Sequence, residues 1–191
     1  MGRSGGLLCI WNPSFCDFVS YRTPAGILLD GRIKGYEEKV KIINCYGPYK
    51  DREVFWEGIV ECVFLKERNL ILGGDLIFTL SLLEVWGTRR LDPLSGYLSS
   101  LFQDACLVDI CPESVGPTWR NGRVDGDGIA KRLDRFFISE QFVETVGRYR
   151  SCTMNLSISD HFSICLQIDF EESPKNVPFK FNHHWLENLD F

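Results

Sequence analysis

The sequence predicts a layered, mixed α/β sandwich built as one domain. Its 191 residues suit a single domain with a sizeable core, and a content of 45% hydrophobic and 25% charged residues is typical of a folded globular protein. Apolar segments with strand and helix periodicity alternate along the chain. Too many of the strands follow one another as hairpin-like pairs for a purely parallel sheet, so a layered mixed sandwich is favoured.

The first half of the chain predicts a strand, a helix and a second strand in succession. Apolar residues recur at three- and four-residue steps from Val54 to Phe64, with Asp51 as the N-cap, which indicates a helix. The strand after this helix runs into a Gly-Gly-Asp turn at residues 73–75. The predicted elements are strands over residues 26–33, with a turn at Asp30-Gly31, over 40–46 and over 69–72, and a helix over 51–68.

The second half of the chain is richer in predicted strands. Ser95 can cap a helix, because Tyr97, Leu98 and Leu101 keep the helical step. The predicted elements are a helix over residues 95–105, strands over 107–110, 118–119, 132–139 and 161–170, a loop over 123–128 and a helical turn over 141–146. The chain is polar from Glu171 and carries two prolines there, so we expect the domain to span residues 1–170 and residues 171–191 to form a linker or tail.

Charge and hydropathy exclude some functional classes. The 21 basic and 26 acidic residues give a net charge of -5, so nucleic acid would need a local basic patch to bind. The apolar runs are far shorter than the ~20 residues of a membrane helix. The N-terminal segment also has too brief an apolar stretch for a signal peptide. We therefore expect a protein of the nucleus or cytoplasm that is not secreted and has no membrane partner.

The eight cysteines are scattered along the chain and form no C-x-x-C pair. Most of them lie inside apolar segments. This pattern favours reduced cysteines that serve as small core residues over a zinc site or a disulfide framework.

Three polar sites stand at strand boundaries, where chemistry is often located. Asp75 follows a buried strand and is either a turn residue that caps a helix or a functional carboxylate. Asp134 lies inside an apolar strand, where an unpaired carboxylate is costly, so it needs either a neighbouring arginine of residues 132–135 or an imidazole as its partner. His161 follows Asp160 and is either a structural histidine or one activated by these acids.

Several further segments occur in a fixed order with these three sites. They are Gly2-Arg-Ser-Gly-Gly6 with Trp11, Asn44-Cys-Tyr46-Gly-Pro-Tyr49, Phe55-Trp56, Leu72-Gly-Gly-Asp75, Gly87-Thr-Arg-Arg90 with Leu91-Asp-Pro93, Leu107-Val-Asp-Ile110, Thr118-Trp-Arg-Asn-Gly122, Arg132-Leu-Asp-Arg135 and Ser159-Asp-His161-Phe. On these motifs the chain resembles the endonuclease/exonuclease/phosphatase (DNase I-like) superfamily. It is most similar to the apurinic-type endonuclease domain of plant LINE (non-LTR) retrotransposons, a similarity that extends into the tail at residues 178–181 and Trp185.

The resemblance implies a two-layer β-sandwich flanked by helices that cleaves a DNA phosphodiester with water and Mg²⁺ or Mn²⁺. In that family a histidine at the position of His161, oriented by an aspartate at that of Asp134, contacts the scissile phosphate or activates water. Asp160 matches an acid of the metal site. Asp75 matches the acid that positions the attacking water or serves the leaving oxygen, and Tyr46 matches a tyrosine that hydrogen-bonds the phosphate.

Departures from the family pattern weaken the expected site. The family's G-D-F-N motif is here Gly74-Asp75-Leu76-Ile77, and isoleucine cannot donate the hydrogen bond that asparagine gives the phosphate. Tyr49 likewise stands where many members of the superfamily carry asparagine. In the family a first strand with an asparagine, and then the glutamate that is the principal metal ligand, precede the segment matched by residues 2–6. No acidic residue precedes Asp17 here, so we expect a sandwich that lacks the first strand and binds metal weakly.

The sequence leaves three functions open, and with them the question whether the chain is an enzyme. The first is a remnant of a retrotransposon endonuclease that nicks target DNA, with little or no activity. The others are a non-catalytic remnant or binding module of the same fold, and an active Mg²⁺-dependent phosphatase or nuclease. Four arginines are expected at the mouth of the cleft, either as a patch for the DNA backbone or as solvated loop residues. They are Arg89, Arg90, Arg120 and Arg123.

Overall fold

The computed structural model describes residues 6–62, 66–88, 90–123, 126–154 and 159–170. Within these residues the strands are β1 (Cys16–Thr23), β2 (Gly26–Ile33), β3 (Lys39–Tyr46), β4 (Leu70–Asp75), β5 (Val85–Trp86), β6 (Leu107–Ile110), β7 (Trp119–Arg120), β8 (Ala130–Lys131), β9 (Asp134–Ser139), β10 (Arg148–Met154) and β11 (Ser163–Asp169). The helices are α1 (Arg52–Glu61), α2 (Ser95–Asp104) and α3 (Glu140–Thr145), and a 3₁₀ turn spans Leu82–Glu84. None of the helices described is both long and apolar enough to cross a membrane.

Six strands form the main sheet, in the order β1-β2-β3-β4-β9-β6. β3 and β4 run parallel, and the other neighbouring strands of this sheet are antiparallel. Helix α1 lies in the connection between β3 and β4, as a parallel pair requires a long crossover. β10 and β11 form a two-stranded sheet, and β5, β8 and β7 form a small three-stranded sheet.

The two faces of the main sheet pack against different partners, because successive side chains along a strand point to opposite sides. On one face Leu72 of β4 belongs to a buried cluster with Trp56 of α1 and Phe102 of α2. On the other face Ile71 of the same strand belongs to a second cluster, against which Leu166 of β11 packs. The result is a layered α/β sandwich with helices outside the sheets, which is the predicted fold class.

The glycines of both predicted turns in the first half lie inside strands. A Cβ on Gly31 in β2 would lie 1.9 Å from the carbonyl oxygen of Asp17 on β1. Gly74 in β4 has a φ of +134°, and a Cβ there would lie 2.1 Å from the carbonyl oxygen of Cys45 on β3. Both predicted turns are therefore wrong, since these glycines permit close approach of neighbouring strands.

Helix α1 is shorter than its apolar periodicity predicts. It follows Asp51 as expected, although Asp51 has a left-handed φ of 52° and makes no side-chain cap hydrogen bond. The helix ends at Glu61 rather than at residue 68, because Cys62 adopts an extended conformation with ψ at 135°. Residues 63–65 and the predicted tail over 171–191 lie outside the described residues, so the domain boundary stays a prediction.

The strands on either side of the predicted site begin later than the sequence indicates. β9 begins at residue 134 instead of 132, and β11 begins at residue 163 instead of 161. The reason lies in the backbone hydrogen bonds: the N–H of Leu133 donates to the hydroxyl of Thr118, and the N–H of Phe162 donates to the carbonyl of Thr118. Thr118, just before β7, therefore accepts the N–H groups that would otherwise be free to extend β9 and β11 towards their N-terminal ends. β1, β5, β8 and β10 are strands that the sequence pattern does not predict.

The cysteines do not serve as core residues in the way the sequence predicts. All eight lie in the described part of the chain, and only Cys45 is buried. Burial raises the pKa of its thiol to about 12. Cys106, Cys111 and Cys152 are exposed, so the core interpretation is wrong for them.

Candidate active site

Asp75 and Asp134 meet at one end of the main sheet. Asp75 is the last residue of β4, Asp134 is the first of β9, and the two are direct partners in the antiparallel ladder. Both side chains are largely buried, with 11% and 13% exposed. Like charges directly opposite one another destabilise a sheet, so this pair calls for a compensating group.

His161 is that group. Its Nδ1 lies 2.9 Å from Oδ2 of Asp134, and its Nε2 lies 3.7 Å from Oδ2 of Asp75. The hydrogen bond with Asp134 raises the pKa of the imidazole, and the nearby negative charges act in the same direction. Because Nδ1 is engaged with the Asp134 carboxylate, Nε2 is the nitrogen that can exchange a proton in the cleft. The predicted contact of Asp134 with an imidazole is present.

The arginines beside Asp134 belong to a separate buried ring, so the alternative in which one of them pairs with Asp134 is wrong. Arg132 and Arg135 are each 1% exposed. Arg132 donates to Glu84 at 2.7 Å and to both carboxylate oxygens of Asp109 at 2.8 Å. Arg135 donates to the same two acids at 2.8 Å. Two cations and two anions thus balance inside the protein.

Neither acid of this ring was predicted as a partner. Glu84 and Asp109 each stand as a single acid within an apolar segment, SLLEVW and LVDI. That pattern is the sequence feature that could have indicated them, because a buried carboxylate needs a cation.

The turn after Asp75 has an unusual backbone. The N–H of Ile77 donates to Oδ1 of Asp75 at 3.2 Å, which orients the carboxylate. Ile77 has a φ of 57°, in the left-handed region that β-branched residues avoid and asparagine tolerates. The backbone at position 77 is therefore better suited to the asparagine of the G-D-F-N motif than to isoleucine.

The surroundings of Asp75 disfavour its ionised form. Burial, and then the charge of Asp134, raise the pKa of its carboxyl group to about 6. Because the ordinary pKa is 3.8, ionising Asp75 costs more in the folded chain than in the unfolded chain. This penalty is full above about pH 6 and disappears as the pH falls towards about 4.

Replacing this anion should therefore stabilise the fold at neutral pH. In a chelating buffer we expect Asp75→Asn to raise the free energy of unfolding by up to about 3 kcal/mol at about pH 8, which corresponds to a shift of roughly two pKa units. The gain should shrink as the pH falls below about 6, and urea unfolding across pH measures it. Asp17→Asn, which removes an exposed carboxylate of β1, is the control. A gain that did not depend on pH would contradict this account of Asp75.

The cleft around these side chains is open and has a volume of about 840 Å³. Tyr46 lines it together with Asp75, Asp134 and His161, and residues 23–26 also belong to its lining. Tyr46 is 45% exposed. A hydrogen bond with Tyr49, and then burial, raise the pKa of Tyr46 to about 12, so its hydroxyl keeps its proton.

Asp160 lies beside the cleft rather than in its lining. Its side chain is exposed and accepts a hydrogen bond from the indole N–H of Trp119 at 3.0 Å. Its carbonyl accepts the N–H of Arg120 at 2.9 Å. The structure thus brings Asp75, Asp134 and His161 together and ties Asp160 to β7 beside them. The role of Asp160 as a metal ligand stays a prediction.

Two of the four predicted arginines share a second groove. Arg90 and Arg123 line it together with Lys131 and Trp119, and its volume is about 510 Å³. The groove neighbours the cleft, because Trp119 also forms a β-bridge with His161. Lys131 was not predicted as part of this patch.

The other two predicted arginines are not among the residues that line this groove. Arg120 lies over the ring of Phe162, with its guanidinium 4.4 Å from the ring centroid. Arg89 lies outside the described residues.

The side chains of Asp75, Asp134 and His161 could supply part of the ligand set of a divalent cation. One ligand atom each from Asp75, Asp134 and His161 lies within 4.8 Å of the others. Carboxylate oxygens suit Mg²⁺ or Mn²⁺, and a cation between the two acids would offset the repulsion from Asp134 that, after burial, raises the pKa of Asp75. The residues therefore fit such a cation, although a set of two carboxylates is small.

No protein family and no curated protein matches the sequence. Solved structures do match the fold. The endonuclease domain of TRAS1, a telomere-specific non-LTR retrotransposon, superimposes with a TM-score of 0.64 at 20% identity, covering 83% of this chain and 71% of that domain. The 3′-5′ exonuclease NExo of Neisseria meningitidis gives 0.57 at 17% identity, with 81% and 70% covered. A Neisseria NExo, described as a 3′ phosphatase and bound to a product DNA hairpin, gives 0.56 at 17% identity, with 74% and 64% covered.

These similarities concern the fold rather than the sequence, since only 20% of the aligned residues are identical between this chain and the TRAS1 domain. They agree with the motif order in the sequence and with the layered sandwich of the described residues. The chain therefore has the DNase I-like fold.

Proposed function

We propose that this chain is a metal-dependent DNA phosphodiesterase of low activity, derived from the endonuclease of a non-LTR retrotransposon and specialised in nicking duplex DNA. The observation that carries the proposal is the cluster of Asp134, His161 and Asp75 at one end of the main sheet, in an open cleft. The motifs shared with plant LINE endonucleases, and the likeness in fold to the TRAS1 endonuclease domain, support it.

Each side chain of the cluster has a separate task in this proposal. Asp134 holds the Nδ1–H of His161 and stabilises the imidazole when it gains a proton. Nε2 of His161 takes a proton from water in the cleft or contacts the phosphate, and Asp75 orients that water. Tyr46 donates a hydrogen bond to a phosphate oxygen. A divalent cation held by the carboxylates of Asp75 and Asp134 would supply positive charge to the phosphoryl oxygens.

Two features limit the rate in this proposal. In the described part of the cleft the carboxylates in the lining are those of Asp75 and Asp134, which bind a divalent cation more weakly than a larger acidic set would. Ile77 offers no side-chain donor, and one donor aimed at developing charge is worth about 10²–10³ in rate. Weak metal binding and the missing donor at position 77 affect different contributions to the rate, so correcting one leaves the other limiting.

A plasmid nicking assay tests this proposal and its limit together. Supercoiled plasmid incubated with the chain and Mg²⁺ or Mn²⁺ should convert slowly to nicked circles, and EDTA should stop the conversion. We expect Ile77→Asn alone to leave the rate within about tenfold of the unmodified chain, because metal binding remains weak. Rapid nicking by the unmodified chain would show that these two features limit it less than proposed. Binding of plasmid with no cleavage would favour a non-catalytic binding module.

The groove next to the cleft should bind the DNA backbone. Changing Arg90, Arg123 and Lys131 together to glutamine should weaken DNA binding. It should also reduce the slope of log K against log salt by about two to three, since each phosphate contact contributes ~0.9. Fluorescence anisotropy over a salt series measures both quantities.

The matched control removes the same charge elsewhere. Arg32, Lys34 and Arg148 are exposed and line neither the cleft nor the groove. Their replacement by glutamine should change affinity less and leave most of the salt slope. Equal effects of the two triple variants would show that the groove is not a specific contact surface.

A further inference from the structure

Thr118 connects the two halves of the acid and imidazole pair. It precedes β7 and is 1% exposed. Its hydroxyl oxygen accepts hydrogen bonds from the N–H of Leu133 and from the N–H of Asp134, both at 2.8 Å. One buried side chain thus holds the backbone of Asp134 itself.

The backbone of the same residue holds the segment that carries His161. The carbonyl of Thr118 accepts the N–H of Phe162 at 2.7 Å, and its own N–H donates to the carbonyl of Lys131 at 2.9 Å. Asp134 begins a strand of the main sheet, whereas His161 precedes β11 of the two-stranded sheet. Thr118 therefore bonds to the first residue of β9 and to the residue that immediately precedes β11.

Few other side chains could replace the hydroxyl of Thr118 as an acceptor for both N–H groups. Its two lone pairs match the two N–H groups that it accepts. Leu133 is bonded on both sides: its N–H donates to the hydroxyl of Thr118, and its carbonyl accepts the N–H of Leu76. Without the hydroxyl, two N–H groups at the start of β9 would lose their acceptor, and the backbone there would shift to find water or another partner.

We propose that Thr118 is a positioning residue that sets the contact between Asp134 and His161. Its hydroxyl fixes where β9 starts and thereby the position of the Asp134 carboxylate. Its carbonyl fixes where β11 starts and thereby the position of the imidazole. The effect on cleavage rests on the proposed function, whereas the effect on the contact between the two side chains does not.

Ser139 provides a matched control for a purely structural role. It is a buried residue at the opposite end of β9, and its hydroxyl accepts the N–H of Leu70 and donates to the carbonyl of Arg68. Ser139→Ala therefore also removes a buried hydroxyl that serves the backbone of the sheet. Its partners have no link to His161, so only the loss at Thr118 should affect the pair.

The test observes the His161 Nδ1–H proton by NMR in metal-free, ¹⁵N-labelled protein. The resonance is assigned by its loss in His161→Gln. We expect Thr118→Val, which keeps the volume and removes the acceptor, to shift or broaden this resonance through exchange with water. Thr118→Ser, which keeps the hydroxyl, and Ser139→Ala should leave it near its original position.

The nicking assay supplies the second readout. Thr118→Val should lower the nicking rate at saturating DNA by about 10- to 100-fold, as loss of a supporting hydrogen bond does at other sites, with the apparent KM for DNA unchanged. Thr118→Ser should restore the rate. Ser139→Ala should lower the melting temperature without this loss of rate.

The outcomes separate this proposal from the proposed function. An unchanged His161 resonance in Thr118→Val overturns the positioning role, and so does an equal change in Ser139→Ala. If the unmodified chain does not nick DNA, the proposed function fails and the resonance alone decides on Thr118. If Thr118→Val does not fold, Thr118→Cys takes its place in the same comparison, because its thiol is a much weaker acceptor.

Discussion

Arg135→Met is expected to lower the free energy of unfolding by about 3–5 kcal/mol, the usual cost of removing one member of a buried ion pair. The guanidinium of Arg135 is fully buried between Glu84 and Asp109. Its loss leaves two buried carboxylates that share a single cation, Arg132. Burial alone would raise the pKa of Glu84, but Arg135 and Arg132 outweigh it and the pKa is lowered. Urea unfolding of the variant at neutral pH measures the loss.

Two comparisons show whether this loss comes from burial of charge. Arg150 pairs with Glu113 at the surface, where the two side chains are 66% and 74% exposed, so Arg150→Met should change stability very little. The double variant Arg135→Met with Glu84→Gln should recover part of the loss, because the number of buried anions then falls with the number of cations. An equal loss in Arg135→Met and Arg150→Met would contradict the importance of the ring.

His161→Ala is expected to reduce metal-dependent nicking by about 10²- to 10⁴-fold, the usual contribution of a positioned acid or base. The reason is that the imidazole lies between both acids, where its Nε2 can take up a proton from the cleft while Nδ1 stays bonded to Asp134. Conversion of supercoiled plasmid at saturating Mn²⁺ measures the loss. Gln167→Ala, at an exposed position of β11, is the control and should retain the rate. Unchanged nicking by His161→Ala would remove His161 from the proposed mechanism.

Much of the candidate site could be predicted because its residues stand next to clear apolar strands. Asp75 ends the strand LILGGD, and Asp134 starts the strand DRFFIS. A carboxylate at such a place is recognisable without a structure, since the apolar neighbours show that it will be partly desolvated. The order of the motifs then gave His161 as the partner of Asp134, which the structure shows.

Contacts across the small β5-β8-β7 sheet could not be predicted in the same way. Its strands have two residues each, too few to show any periodicity. Glu84 lies 48 residues before Arg132, so no local pattern joins them. The hydrogen bond from the indole of Trp119 to Asp160 likewise joins residues that are far apart in the sequence. The sequence could show that the arginines needed acids, but not which acids they meet.

The placement of Asp75 and Asp134 as ladder partners governs how the site fluctuates. β4 and β9 lie in the interior of the main sheet, each flanked by further strands, so separating the two acids requires an opening almost as large as global unfolding. His161 is joined to that sheet by its bond to Asp134, and a bridge to the two-residue strand β7 joins it to the small three-stranded sheet; a smaller opening can break both contacts. Amide hydrogen exchange should accordingly be slow at the acids and faster around the imidazole. The fraction of molecules in which Asp134 and His161 are paired then depends on this local opening as well as on the global stability of the domain.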